Sequence, residues 1–380
     1  MRCLKTKPMS SVKGALARSK STRITVKTKY MKNYSIKLVT TGACLLFALS
    51  LLALAVTSEP DAGMPDAVTG PGFDLLATVP LPTTADAGVA VNEALNKIYT
   101  SGNATSLSGF DVVVIDGTTF ATTTVSAGGE GANVDVKTDR YWAATVFGGS
   151  VVVRDGTTNS IVTTVPLSDC PIETTYDFSK NRVWAGAQCG GGNDPVFAIN
   201  ANTPFNVIAG PIGSGGVMGS IIANGANGRL YLTASGVSKK VDPTTFAVTS
   251  TAFGTVMAIN TLTNKLYATG GNNLQIINGA TEVIQTTIGL TYTPASMGIN
   301  TELGHLYLAN SAGNSLEVRN PSTGALIATF SLATFGDTPN GAMTVDSIRG
   351  RIYVTANIGG SPVLLVIEDL TTARNSRSNL

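Results

Sequence analysis

The chain predicts an all-β fold, a seven-bladed β-propeller closed by an N-terminal strand in its last blade. Three observations predict it. Seven times an Asn or Asp is followed five residues later by Lys, Arg or His, and two residues after that by Tyr or Trp: Asn92/Lys97/Tyr99, Asp135/Arg140/Trp142, Asp177/Arg182/Trp184, Asn224/Arg229/Tyr231, Asn260/Lys265/Tyr267, Asn300/His305/Tyr307 and Asp346/Arg351/Tyr353. The aromatics recur at a mean period of about 42 residues, in the range of four-stranded propeller blades. A second signature, Asp or Asn followed three residues later by Thr, occurs once after each aromatic: Asp116/Thr119, Asp155/Thr158, Asn200/Thr203, Asp242/Thr245, Asn278/Thr281, Asn320/Thr323 and Asp369/Thr372. Asp and Asn side chains bond the backbone two residues on, which suits a tight turn between strands. The third observation is composition: only 13% of residues are charged, and 41 are Gly. Short runs of Val, Ile, Thr and aromatics bounded by Gly, Asn and Asp are what strands and turns require.

Residues 1–58 read as a basic leader and signal peptide. Residues 1–55 hold 11 Lys and Arg and no acid, and 38–56 are almost wholly apolar, with Ala53-Leu54-Ala55 as a small-residue cleavage site. Met31 is an alternative start, since Lys32 and Lys37 with the apolar run make an ordinary signal peptide by themselves. The competing reading is an uncleaved anchor, the one way in which a membrane enters as a partner, because 19 apolar residues nearly span a bilayer. Residues 59–72 follow as a linker, 73–372 as the propeller, and 373–380 as a polar tail.

Within the first repeat, Val89 to Asn92 is the inner strand and Glu93–Asn96 the turn. Lys97–Thr100 is the second strand, Val112–Ile115 the third and Phe120–Val125 the outer one. The ends of the propeller complement each other. After Asp369 no apolar outer strand follows, while Phe73–Leu81 resembles an outer strand, such as Ile161–Leu167, that lacks its own inner strands. Residues 73–81 are therefore expected beside Val363–Ile367, which removes two open sheet edges at once.

Removing the 11 leader cations from the total of 26 Lys and Arg leaves 15 basic against 24 acidic residues, a net charge of −9. An acidic body disfavours nucleic acid and anionic lipid as partners. Beyond the leader the only cysteines are Cys170 and Cys189. An even pair in an oxidising compartment favours a disulfide, and a hairpin turn centred between Ser179 and Lys180 places the two opposite each other.

The repeats resemble the YVTN family of β-propellers, named for its second-strand sequence. Tyr353-Val354-Thr355-Ala356-Asn357, Tyr307-Leu308-Ala309-Asn310 and Tyr231-Leu232-Thr233-Ala234 match that strand, and Val113-Val114-Ile115-Asp116 matches the third strand. The resemblance covers about four fifths of the chain, with blade three departing most. It implies an exported or surface-layer protein that mediates binding or assembly.

Chemistry is sparse in the sequence. His305 is the only histidine, which excludes His-Glu-x-x-His zinc sites and multi-histidine metal sites. No Gly-x-Ser-x-Gly elbow or Walker loop is present. No catalytic or metal-ligating set is assigned. The one constellation is the carboxylates Asp86, Glu130, Glu173 and Asp337, all in connections entering blades, where they form either a solvated rim or a mouth able to hold Ca²⁺, the one cofactor considered. Met257, Met297 and Met343 share one offset and are expected to line adjacent inner strands as packing.

Length varies only in the connections of one face, including Ser101–Phe110 and Gly186–Pro195, so that face is the expected docking surface for an envelope protein or glycan. The reading is an exported binding or assembly module, periplasmic, cell-surface or extracellular, that leans away from an enzyme. The alternative is a lactonase-like propeller hydrolase using the rim carboxylates and a divalent metal. A quinone-dependent dehydrogenase ranks below both, because Trp142 and Trp184 are accounted for by the repeat.

Overall fold

The computed structural model describes residues 72–82, 88–101, 111–126, 131–189, 191–333 and 337–371. The leader, the linker apart from Gly72, the polar tail, Asp86, Glu130 and nearly all of Ser101–Phe110 lie outside the described residues. Among the described residues no helix is long and apolar enough to cross a membrane.

Seven four-stranded antiparallel sheets follow one another along the chain. In each of the first six, consecutive strands run from inner to outer; the first blade is Val89–Asn92, Lys97–Ser101, Val112–Asp116 and Thr122–Val125. In the seventh, Asp337–Asp346, Arg351–Ile358 and Ser361–Asp369 are completed by the N-terminal strand Phe73–Pro80. Its register runs from Phe73 opposite Asp369 to Pro80 opposite Val363, with one bulge between Leu75 and Ala77. The closure expected from the two chain ends is what the ring uses.

The apolar pattern follows from this stacking. Third strands lie between neighbouring sheets on both faces, so Val112–Ile115, Val151–Val153 and Val196–Ile199 are continuously buried. Outer strands are covered on one face only, and Ile161–Pro166 accordingly exposes Ile161 and Val162 while burying Val165. The core is a series of layers between blades. Val79, Leu81, Ile98, Val113, Ile115, Tyr353, Leu364 and Val366 form the layer that joins the last blade to the first.

The fixed spacing of five from Asn or Asp to the basic residue has a backbone cause. The fourth residue after the repeat Asn or Asp is left-handed in every blade: Asn96, Asp139, Asn181, Gly228, Asn264, Gly304 and Gly350, with φ between 48 and 79°. Only Gly, Asn and Asp adopt that conformation at low cost, so these residue types set the turn length. The turn after the third strand works similarly. The Asp116 carboxylate accepts from the backbone N–H of Thr118 and Thr119 and from the Thr119 hydroxyl, and Asp155 and Asp242 repeat the pattern. These bonds hold all three carboxyls below the usual carboxylate range. One boundary shifts: Phe120 takes φ 58° inside the turn, so the first outer strand starts at Thr122 and not at Phe120.

Cys170 and Cys189 form a disulfide with Cα atoms 5.3 Å apart. A bulge between Pro171 and Glu173 moves the pairing, placing Pro171 opposite Ala187 and letting Gln188 N–H donate to Cys170 O at 2.8 Å. The bridge is therefore diagonal, one residue off the directly opposed pair that the turn centre predicts. Replacing both cysteines by Ser should lower stability by about 3 kcal/mol for a loop of this length. A urea midpoint equal to that of the parent protein would contradict it.

Candidate functional site

The repeat residues that dominate the sequence are joints between blades. In each blade the basic residue and the aromatic reach the turn between the third and outer strands of the next blade. Lys97 Nζ donates to Gly156 O and Thr157 O at 2.6 and 2.8 Å, and Tyr99 OH to Gly156 O at 3.3 Å. Arg140 stacks over Phe205. Arg182 donates to Gly228 O at 2.7 Å, Pro243 O at 2.9 Å and its own Asp177 at 3.0 Å, and lies over Trp184 and Phe246. Arg229 and Tyr231 both meet Glu282, which Lys240 also pairs. Lys265 reaches Ser322, and Tyr267 OH donates to Pro321 O.

His305 is buried, with Nδ1 2.6 Å from Asp369 Oδ2; Tyr307 OH donates to the same oxygen at 2.7 Å. Burial raises the Asp369 pKa, but bonds from His305, Thr371 and Tyr307 outweigh it and hold this carboxyl below its ordinary range. Arg351 closes the ring by donating to Gly117 O at 2.6 Å over Phe120. Phe120, Phe205, Phe246 and Glu282 all have positive φ. That conformation costs roughly 1–2 kcal/mol, and here each such residue supplies the surface or charge that the preceding blade's cation meets.

All seven inner strands or their leading residues line one central channel with a volume of about 560 Å³. Two arcs divide its wall. Asn133, Glu173, Thr174, Thr175, Ser220 and Thr255 form a polar arc, while Met257, Met297 and Met343 come from blades five, six and seven, with Ser296 beside Met297. The methionines occupy adjacent inner strands as their common offset predicts. They also wedge between blades: Met297 packs with Tyr267 and Leu306, and Met343 Sδ lies where a Cβ on Gly298 would come within 2.9 Å of it. The polar arc was not visible in the sequence, whose inner strands read as Ala, Val, Ile, Met and Thr.

Among the described residues, Glu173 is the only ionisable one lining the channel. Its Oε2 accepts from Ile221 N–H of the next blade at 2.9 Å. Burial pushes the carboxyl up to about 8 despite that bond. Gly131 permits the placement, because a Cβ there would stand 2.8 Å from Ile172 O and 2.9 Å from Glu173 Cα. Most other polar groups of the wall are satisfied. Thr174 donates to Trp142 O, Thr175 Oγ1 accepts from Ala223 N–H, and Asn133 Oδ1 accepts from Tyr176 N–H. Ser296 Oγ, on a residue 6% exposed, has no partner.

Of the four carboxylates singled out in the sequence, Glu173 thus lies in the channel wall. Asp337 begins the inner strand of the last blade, opposite Ile358; Asp86 and Glu130 lie outside the described residues. The Phe and Glu residues of the outer turns were missed, although Phe120, Phe246 and Glu282 share a place four residues after the turn Asp or Asn, with Phe205 one residue later.

The solved structures agree on architecture. The fold is that of a seven-bladed β-propeller. The β-propeller domain of Cps50 (Swd1) from Myceliophteria thermophila superposes with a TM-score of 0.61 at 10% identity, covering 78% of this chain and 99% of that one. A chain of a mitotic checkpoint complex superposes with a TM-score of 0.62 at 11% identity, covering 87% of this chain and all of that one. At such identities the likeness speaks to fold alone. No protein-family model and no curated protein sequence matches the chain.

Proposed function

We propose that this chain is an exported propeller of the YVTN type that acts as a binding or assembly module in the cell envelope, with a protein or glycan docking on the face of variable connections. The carrying observation is that the repeat cations lie in blade joints and the repeat Asp and Asn residues cap turns, so one face consists of turns whose length and residues the ring dictates. The other face is free to vary. It includes the Gln188–Asp194 connection, which the Cys170–Cys189 bridge braces beside its root. A disulfide also suits an oxidising compartment and so supports export. A similar propeller occurs within a mitotic checkpoint complex, in keeping with such rings as platforms for partners.

Photo-crosslinkers at Gln188, on the variable face, and at Ala280, on the turn face, test this in intact cells. Both residues are exposed. A single discrete adduct from Gln188 only, at an extracytoplasmic location, is expected. Adducts from Ala280 alone, or hydrolysis of a lactone by the purified protein in a Ca²⁺-dependent manner, would overturn the reading.

A further inference from the structure

We propose that the central channel binds a small organic cation, an ammonium group on an apolar body, with Glu173 as its anionic partner and Met257, Met297 and Met343 against its apolar part. The channel volume of about 560 Å³ is in the range of small-molecule sites, which typically span roughly 300–1,000 Å³. Blade three, carrying Glu173, lies across a seven-membered ring from blades six and seven, which carry Ser296, Met297 and Met343. The wall therefore has one acidic pole and an opposite pole of polarisable thioethers.

Charge decides the ligand class. Among the described residues the channel lining contains no Lys, Arg or His, so none of them offers an anion a charged partner. The elements packed around Glu173 carry Asp135, Asp177, Arg140 and Arg182 at their turn ends. Asp177 and Arg182 pair with each other, Asp135 caps its own turn, and Arg140 stacks on Phe205. The tyrosines of those elements are also engaged, Tyr176 with Asn181 and Tyr141 stacked on Tyr99. A half-buried carboxyl with no counter-ion among the described residues is costly to ionise, and a bound ammonium supplies that counter-ion. Glu173 is thus half of an ion pair whose other half comes from outside.

Binding then expels the Glu173 proton to solvent as the ion pair forms. Affinity for an amine that stays protonated over this range should rise with pH up to about 8 and level off just above it, at about tenfold per pH unit below that point. Phenylpropylammonium and its neutral analogue phenylpropanol are suitable probes, titrated calorimetrically into the purified protein in buffers of differing ionisation enthalpy. The expected result is saturable binding of the amine only, with close to one proton released per ligand near neutral pH. Glu173→Gln should weaken binding at least tenfold and remove the pH dependence.

Folding of the variant is checked by its own linkage. A glutamate whose folded pKa is raised loses stability as pH rises from its ordinary value of 4.5 to about 8. Glu173→Gln should therefore unfold at the same or a higher denaturant concentration at neutral pH. Equal binding of amine and alcohol, no binding of either, or a pH dependence that survives in Glu173→Gln overturns the proposal.

Discussion

Removing residues 73–80 should abolish the cooperative unfolding of the entire ring, not merely that of the last blade. That strand buries Phe73 and Val79 against the layers on either side of blade seven, and its loss exposes the edge Val363–Asp369. An open edge of this length also templates association between copies. A graded version keeps the backbone: Phe73→Ala removes a ring 1% exposed and packed near Phe330 at 5.8 Å between centroids, which should cost about 3–5 kcal/mol. Chemical denaturation with light scattering reads both. An unchanged midpoint for either variant would mean that the ring does not depend on this strand.

Arg182→Ala should be the most damaging single change among the repeat cations, costing about 3–5 kcal/mol. Its partner Asp177 is 0% exposed and Arg182 itself 4%, so truncation leaves a buried carboxylate without its counter-ion. It also removes the donors to Gly228 O and Pro243 O across the junction of blades three and four. Lys97→Ala removes donors to two carbonyls but strands no buried charge, so its cost should be nearer 1–2 kcal/mol. The ranking is checked by urea midpoints, and equal losses at the two positions would contradict the role assigned to burial.

These energetics explain what the sequence revealed and what it withheld. Periodicity exposes whatever every blade needs: the left-handed turn residue, the cation and the aromatic recur because each junction repeats one geometry. The closing strand was legible for the same reason, since Phe73–Leu81 copies an outer strand. The recipient side of each junction was harder to see, because backbone carbonyls at Gly117, Gly156 and Pro243 accept the bonds and carbonyls carry no residue signature. Side-chain acceptors serve other joints, Glu282 between blades four and five and, between blades six and seven, the repeated turn residue Asp369 itself. The channel was least legible of all. Its polar arc arises from single residues of different repeats, Asn133, Glu173, Ser220 and Thr255, of which only Glu173 and Ser220 share an offset, whereas the three methionines all share one. A bulge near Glu173 further breaks the alternation from which a facing side chain would be inferred.

The central structural claim is that the repeat motif acts between blades, and the His305–Asp369 pair allows it to be measured because both partners are side chains. A double-mutant cycle of His305→Ala, Asp369→Ala and the double variant isolates their interaction across the junction of blades six and seven. Tyr307 is left intact in all four proteins, so its bond to Asp369 enters equally through the Asp369→Ala legs. A buried, charge-assisted contact should give a coupling of about 1.5–3 kcal/mol near neutral pH. Additive losses, with a coupling indistinguishable from zero, would contradict the reading of the motif as the joint that holds the propeller closed.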